Sequence, residues 1–144
     1  MVARHLAATG GRVLTMTLPA LIAPTLRMVR RWYGDALPVE VLRTREDLVR
    51  FCRAPGHAYG IASTYLMAQG QVQEFRNLAG LVLDESSILK SGGGTIKWNL
   101  IHSAKGIEYK LSCTATPAPN DVMEYASQAG FLEKIRSEGQ VLWT

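Results

Sequence analysis

"AGLVLDESSILK", residues 79–90, sets Asp84 and Glu85 side by side directly after a run of small and apolar residues. Residues 80–84 read as a buried strand that ends on a carboxylate. A buried charge without a partner is costly, and a surface acid needs no such strand to carry it. A metal ion and a water molecule to be activated would account for the pair. By pattern alone, a helix amino-terminal cap or a solvated loop end fits as well.

Four further stretches read as strands: "RVLTMT" (12–17), "VEVL" (39–42), "AYGIAS" (58–63) and "YKLSCT" (109–114). Several are almost continuously apolar, as expected of strands covered on both faces in a parallel sheet. Helical patterns fall between them. Ile22, Leu26, Val29 and Tyr33 recur at i, i+4, i+7 and i+11, with Pro24 near the start and Gly34 after the end. "TREDLVRFCR" (44–53) opens with a threonine cap and two acids. Further helices are expected over about 64–76, 95–105 and 121–136. Strand–helix alternation predicts an α/β domain with a mostly parallel sheet flanked by helices. Ligands of such sheets bind beyond the carboxyl ends of the strands. Asp84, Glu85, Thr17–Pro19 and Thr114–Thr116 are expected there.

The 144 residues, 47% hydrophobic and 19% charged, describe one globular domain. No apolar run approaches the roughly 20 residues that span a bilayer, and the apolar core of "MVARHLAATGG" is too short for a secretory signal. A cytoplasmic protein with no membrane partner is therefore expected. Cys52 and Cys113 form no disulfide framework and read as small buried thiols. His5, His57 and His102 share no metal-ligand spacing. A formal charge of +4 permits a nucleic-acid partner without demanding one.

"LDESSILKS" (83–91) and "YKLSCTATPAPND" (109–121) stand in the order and spacing of two helicase motifs. They resemble the DEAD/DEAH-box superfamily two helicases, in particular the Swi/Snf-like branch and its phage and prophage relatives. "TLPALIAPTLRMVRRW" (17–32) is similar to that family's nucleic-acid-contacting segment, and "GIASTYLM" (60–67) to its next strand-end motif. The resemblance implies a RecA-like, ATP-binding first lobe. It implies that Asp84 coordinates Mg2+ through water and that Glu85 activates the water attacking ATP. Ser86 and Ser87 would belong to the same motif, with Ser87 in place of the family's frequent histidine. Thr114 and Thr116 would couple the nucleotide state to the grip on DNA. Thr17, Pro19, Arg27, Arg30 and Arg31 would contact nucleic acid. Lys90 matches a lysine common after the second motif and reads as structural or surface.

One family element is missing. The P-loop, G-x-x-x-x-G-K-[ST], cradles the triphosphate, yet no glycine in this sequence is followed by lysine. "ATGGRVL" (8–14) lacks the lysine and precedes a strand, whereas a P-loop follows one. "KSGGGTIK" (90–97) has glycines in the wrong order. The expectation is a partial helicase lobe over residues 1–144, without the P-loop strand and the second lobe. The bare chain is then expected to be inactive, with the missing segments as partners in trans. The alternative is a non-catalytic DNA- or protein-binding module derived from such a lobe. Open sheet edges would invite pairing with another chain. Arg27, Arg30 and Arg31 share the side of their helix opposite Ile22, Leu26 and Val29, as a solvated face or a phosphate-contacting stripe. Arg43, Arg45, Arg50 and Arg53 lie close to Glu46 and Asp47, which dilute their field. Trp32 and Trp98 read as core or helix-end anchors.

Overall fold

The computed structural model describes residues 10–84, 89, 94–114 and 122–133, and for 122–125 the backbone alone. Five strands form one sheet: β1 (Arg12–Thr17), β2 (Val39–Leu42), β3 (Ala58–Ser63), β4 (Gly80–Asp84) and β5 (Tyr109–Cys113). Their order is β2-β3-β1-β4-β5 and every neighbouring pair is parallel. Parallel pairing requires crossover connections. Helices α1 (Ile22–Tyr33), α2 (Arg45–Arg53), α3 (Thr95–Ser103) and α4 (Val122–Phe131) provide much of them. The fold is α/β, an all-parallel sheet flanked by helices, as a RecA-like lobe requires.

Alternation along the strands divides the core in two. On one face Leu14 and Met16 of β1 and Leu81 and Leu83 of β4 pack with Leu48 and Phe51 of α2, Leu100 of α3 and Phe131 of α4. On the other, Val13, Tyr59 and Ile61 pack with Val29 of α1, joined by the partly buried Ile22, Leu26 and Tyr33. The apolar stripe of α1 is therefore its sheet-facing side. Gly34 ends that helix with φ 54°, where a side chain would be strained. Thr44 starts α2 by accepting from the Asp47 N–H, while Asp47 accepts from the Thr44 N–H. This reciprocal cap satisfies two amide donors that the first helical turn would leave unpaired.

The segment 64–76 departs from expectation. Instead of one helix it holds two 3₁₀ turns, Thr64–Gln69 and Gln73–Asn77. The chain breaks at Gly70, whose φ of 135° suits glycine. Side chains take over the role of a helical ladder there. The Arg45 guanidinium donates to the carbonyls of Leu66, Gly70 and Gln71, and Asn99 donates to that of Met67. The two turns bury Met67, Val72 and Phe75 without a continuous helix.

Candidate functional site

The sheet brings Thr17, Asp84 and Thr114 to one edge. Met16 of β1 pairs with Leu83 of β4, so Thr17 and Asp84, the next residues, lie side by side. Asp84 in turn pairs with Cys113 of β5, and Thr114 follows at once. The helices after β1 and β4 lie on opposite faces of the sheet: α1 covers the Val13–Ile61 side and α3 the Leu14–Leu83 side. Connections that part in this way open a crevice at the strand ends, the usual ligand position in parallel sheets.

The strand ends carry polar groups where a core would be apolar. Asp84 is partly exposed. Thr17 is fully buried, and its hydroxyl has no hydrogen-bond partner among the described residues; neither has that of the buried Thr64, one residue beyond β3. Such hydroxyls are normally satisfied. Deeper on the same face the Tyr59 phenol and the Thr15 hydroxyl hydrogen-bond each other. Burial pushes the Tyr59 phenol above its usual range against the opposing Thr15 bond, and the Asp84 charge pushes it further. The Cys113 thiol is likewise raised, by burial first and then by Asp84. Burial is the larger cause in both groups, with the Asp84 charge adding to it. Cys52, by contrast, lies in the core with its thiol pushed up to about 12 by burial and Glu74. Cys113 is less enclosed than the sequence suggests.

Mg2+ fits this edge on the chemistry of its donors. Among the described residues no three carboxylate, histidine or cysteine side chains gather into a metal site. Mg2+ needs no such cluster, since it keeps several waters and binds through one or two carboxylates and substrate phosphates. Asp84 supplies one such carboxylate. A triphosphate cradle is a different matter, because the sequence contains no Gly-Lys pair to form it. Glu85, Ser86, Ser87, Lys90 and Thr116 lie outside the described residues.

The predicted nucleic-acid residues divide. Thr17 is buried at the strand end beside Asp84, whereas Pro19, Arg27, Arg30 and Arg31 are exposed. The three arginines form no ion pair among the described residues, and α1 contains no acid. Around α2 the charges cancel: Arg50 pairs with Glu40 and Asp47, and Arg53 with Glu74. The arginine stripe starts about 8 Å along α1 from Ile22 and ends about 14 Å along, at about 1.5 Å per residue. It thus runs away from the carboxyl edge. Sequence reasoning misplaced the tryptophans. Trp32 is 75% exposed and Trp98 38%, and Met28 beside Trp32 is 54% exposed. The helical spacing held the signal, since Met28 and Trp32 both fall off the Ile22–Leu26–Val29–Tyr33 stripe. No family model and no curated protein matches the chain, so the likeness to helicases rests on the motifs themselves.

Proposed function

We propose that the chain is part of the first RecA-like lobe of an ATP-dependent DNA helicase or translocase of the Swi/Snf-like branch, acting in the cytoplasm. The main support is the pairing of β4 with β5. They are adjacent and parallel in the register Asp84↔Cys113, so Asp84 and Thr114, the first residues of "DESS" and "TATP", stand at one edge of the sheet. In this reading Asp84 would hold Mg2+, which when bound would supply positive charge to the phosphates of ATP. Glu85 orients the attacking water and accepts its proton. The hydroxyls of Ser86, Ser87, Thr114 and Thr116 link the two segments by hydrogen bonds that change with the nucleotide. Thr17 lines the crevice. Pro19 and the α1 arginines meet DNA phosphates, which fixes position without reading sequence.

Positioning supplies most of phosphoryl-transfer catalysis. A chain with no Gly-Lys pair cannot hold the terminal phosphate in line with Glu85. The 144-residue protein alone should therefore show no Mg2+-dependent ATP hydrolysis, and addition of a strand–P-loop–helix segment and a second lobe should produce it. Absence of turnover in that completed protein, shown to be folded and to bind ATP, would favour the non-catalytic binding module. No helix among the described residues is long and apolar enough to cross a membrane.

A further inference from the structure

The outer face of α1 carries chemistry that ATP hydrolysis does not use. Met28 and Trp32 are four residues apart, so they adjoin on the helix surface, and Arg27 and Arg31 adjoin beside them in the same way. The four side chains line a shared recess on the helix surface. Trp32 at 75% exposed and Met28 at 54% leave an aromatic face and a thioether in water. Both arginines are exposed and, among the described residues, unpaired.

We propose that this recess is a stacking site for single-stranded nucleic acid. Trp32, supported by Met28, takes the face of an unpaired base, and Arg27 and Arg31 take the phosphates on either side of it. The chemistry of the two rows selects the occupant. A ligand must offer anions and planar apolar groups in alternation along its length, which a single strand does with every nucleotide. A duplex offers the same phosphates but keeps its base faces inside its own stack. An acidic peptide answers the arginines and leaves the indole in water. Base–aromatic stacking tolerates any sequence because every base has a π face. The inference deepens the DNA-binding part of the proposed function and rests on that part alone; it needs no ATP hydrolysis.

The test is fluorescence anisotropy of labelled oligo(dT) and of a labelled duplex of equal length, each titrated with the 144-residue chain at about 50 and 200 mM salt, conditions that separate phosphate contacts by their salt dependence. The single strand should bind more tightly than the duplex. Trp32→Ala should weaken single-strand binding on the order of 10-fold and leave the duplex unchanged, and Trp32→Phe should keep most of the affinity, as expected for stacking. Arg27→Ala with Arg31→Ala should weaken both and flatten the salt dependence. Trp32 is exposed, so the variants should fold, which circular dichroism checks. If Trp32→Ala binds oligo(dT) like the parent, or weakens strand and duplex equally, the stacking site is refuted while the arginine contacts with DNA survive. If the chain binds neither polymer at low salt but captures a polyglutamate peptide, the surface is a protein-docking face and both readings of it fail.

Discussion

Gly60 shows how one position can be fixed by neighbours distant in sequence. A Cβ there would lie 2.9 Å from Cζ of Phe51 and 3.2 Å from Cδ1 of Leu42. The Phe51 ring cannot easily retreat, since it is fully buried and carries the Arg12 guanidinium 4.8 Å above it. Gly60→Ala should therefore destabilise the fold by about 1–3 kcal/mol through overpacking. Urea denaturation would register this as a lower midpoint at unchanged slope, and an unchanged midpoint would show that Phe51 has room to shift. Nothing near Gly60 in the sequence announces the requirement. Asp84 was legible because its signal is local, a carboxylate ending an apolar run. The orphaned Thr17 hydroxyl was not, because its lack of a partner depends on what the sheet places around it. Trp32 was misread for another reason: tryptophan is usually buried on average, and that habit outweighed its position off the apolar stripe of α1.

At the scale of elements, strands were read well because parallel strands buried on both faces are short, dense apolar runs. The cap of α2 was legible as well, since Thr44 and Asp47 interact across three residues. The segment 64–76 failed because its backbone partners come from elsewhere. Arg45, some 20 residues upstream, holds three of its carbonyls. Arg45→Ala should loosen the two 3₁₀ turns and destabilise the protein by about 1.5–3 kcal/mol, the usual worth of hydrogen bonds to a charged group. Arg45→Lys should rescue little, since a single ammonium cannot reproduce the planar fork. Hydrogen exchange over 64–77 is the direct measurement. Protection retained in both variants would show that burial of Met67 and Phe75 holds the turns without Arg45.

For the molecule as a whole, the fold class followed from the alternation of strands and helices, but the order β2-β3-β1-β4-β5 could not be read from the chain. Among the described residues that order makes β5 an edge strand, with Leu111 52% and Tyr109 49% exposed, and it brings Asp84 beside both Thr17 and Cys113. It also makes room for an ion pair no sequence pattern suggests. Lys110 of β5 has a side chain only 5% exposed, and it meets Glu133 just past α4. Lys110 also donates to the Ala104 carbonyl, and the Gly106 N–H donates to Glu133. The bond from Lys110 is the largest cause holding the Glu133 carboxyl below its usual value. A carboxylate with a depressed folded value adds stability that is full above the unfolded value, about 4.3 for glutamate. That contribution is lost as pH falls through the lower folded value. Glu133→Gln should cost about 1 kcal/mol at neutral pH, a figure kept small because the Glu133 side chain is 43% exposed and screened by water. It should also flatten the fall of stability below about pH 4.3. Thermal melts from pH 3 to 7 would show it, and parallel curves for the two proteins would mean that the pair contributes nothing.

In the proposed function, Glu85 of "DESS" is the base of an ATP hydrolase. The most direct test of that role is steady-state ATP turnover in the protein completed with a P-loop segment and a second lobe, compared between Glu85 and Glu85→Gln. The amide keeps the shape of the side chain and removes the proton acceptor. The account predicts Mg2+-dependent, DNA-stimulated hydrolysis that falls by roughly 10²–10⁴-fold in the variant, the usual contribution of a positioned general base. Turnover that survives Glu85→Gln would contradict it.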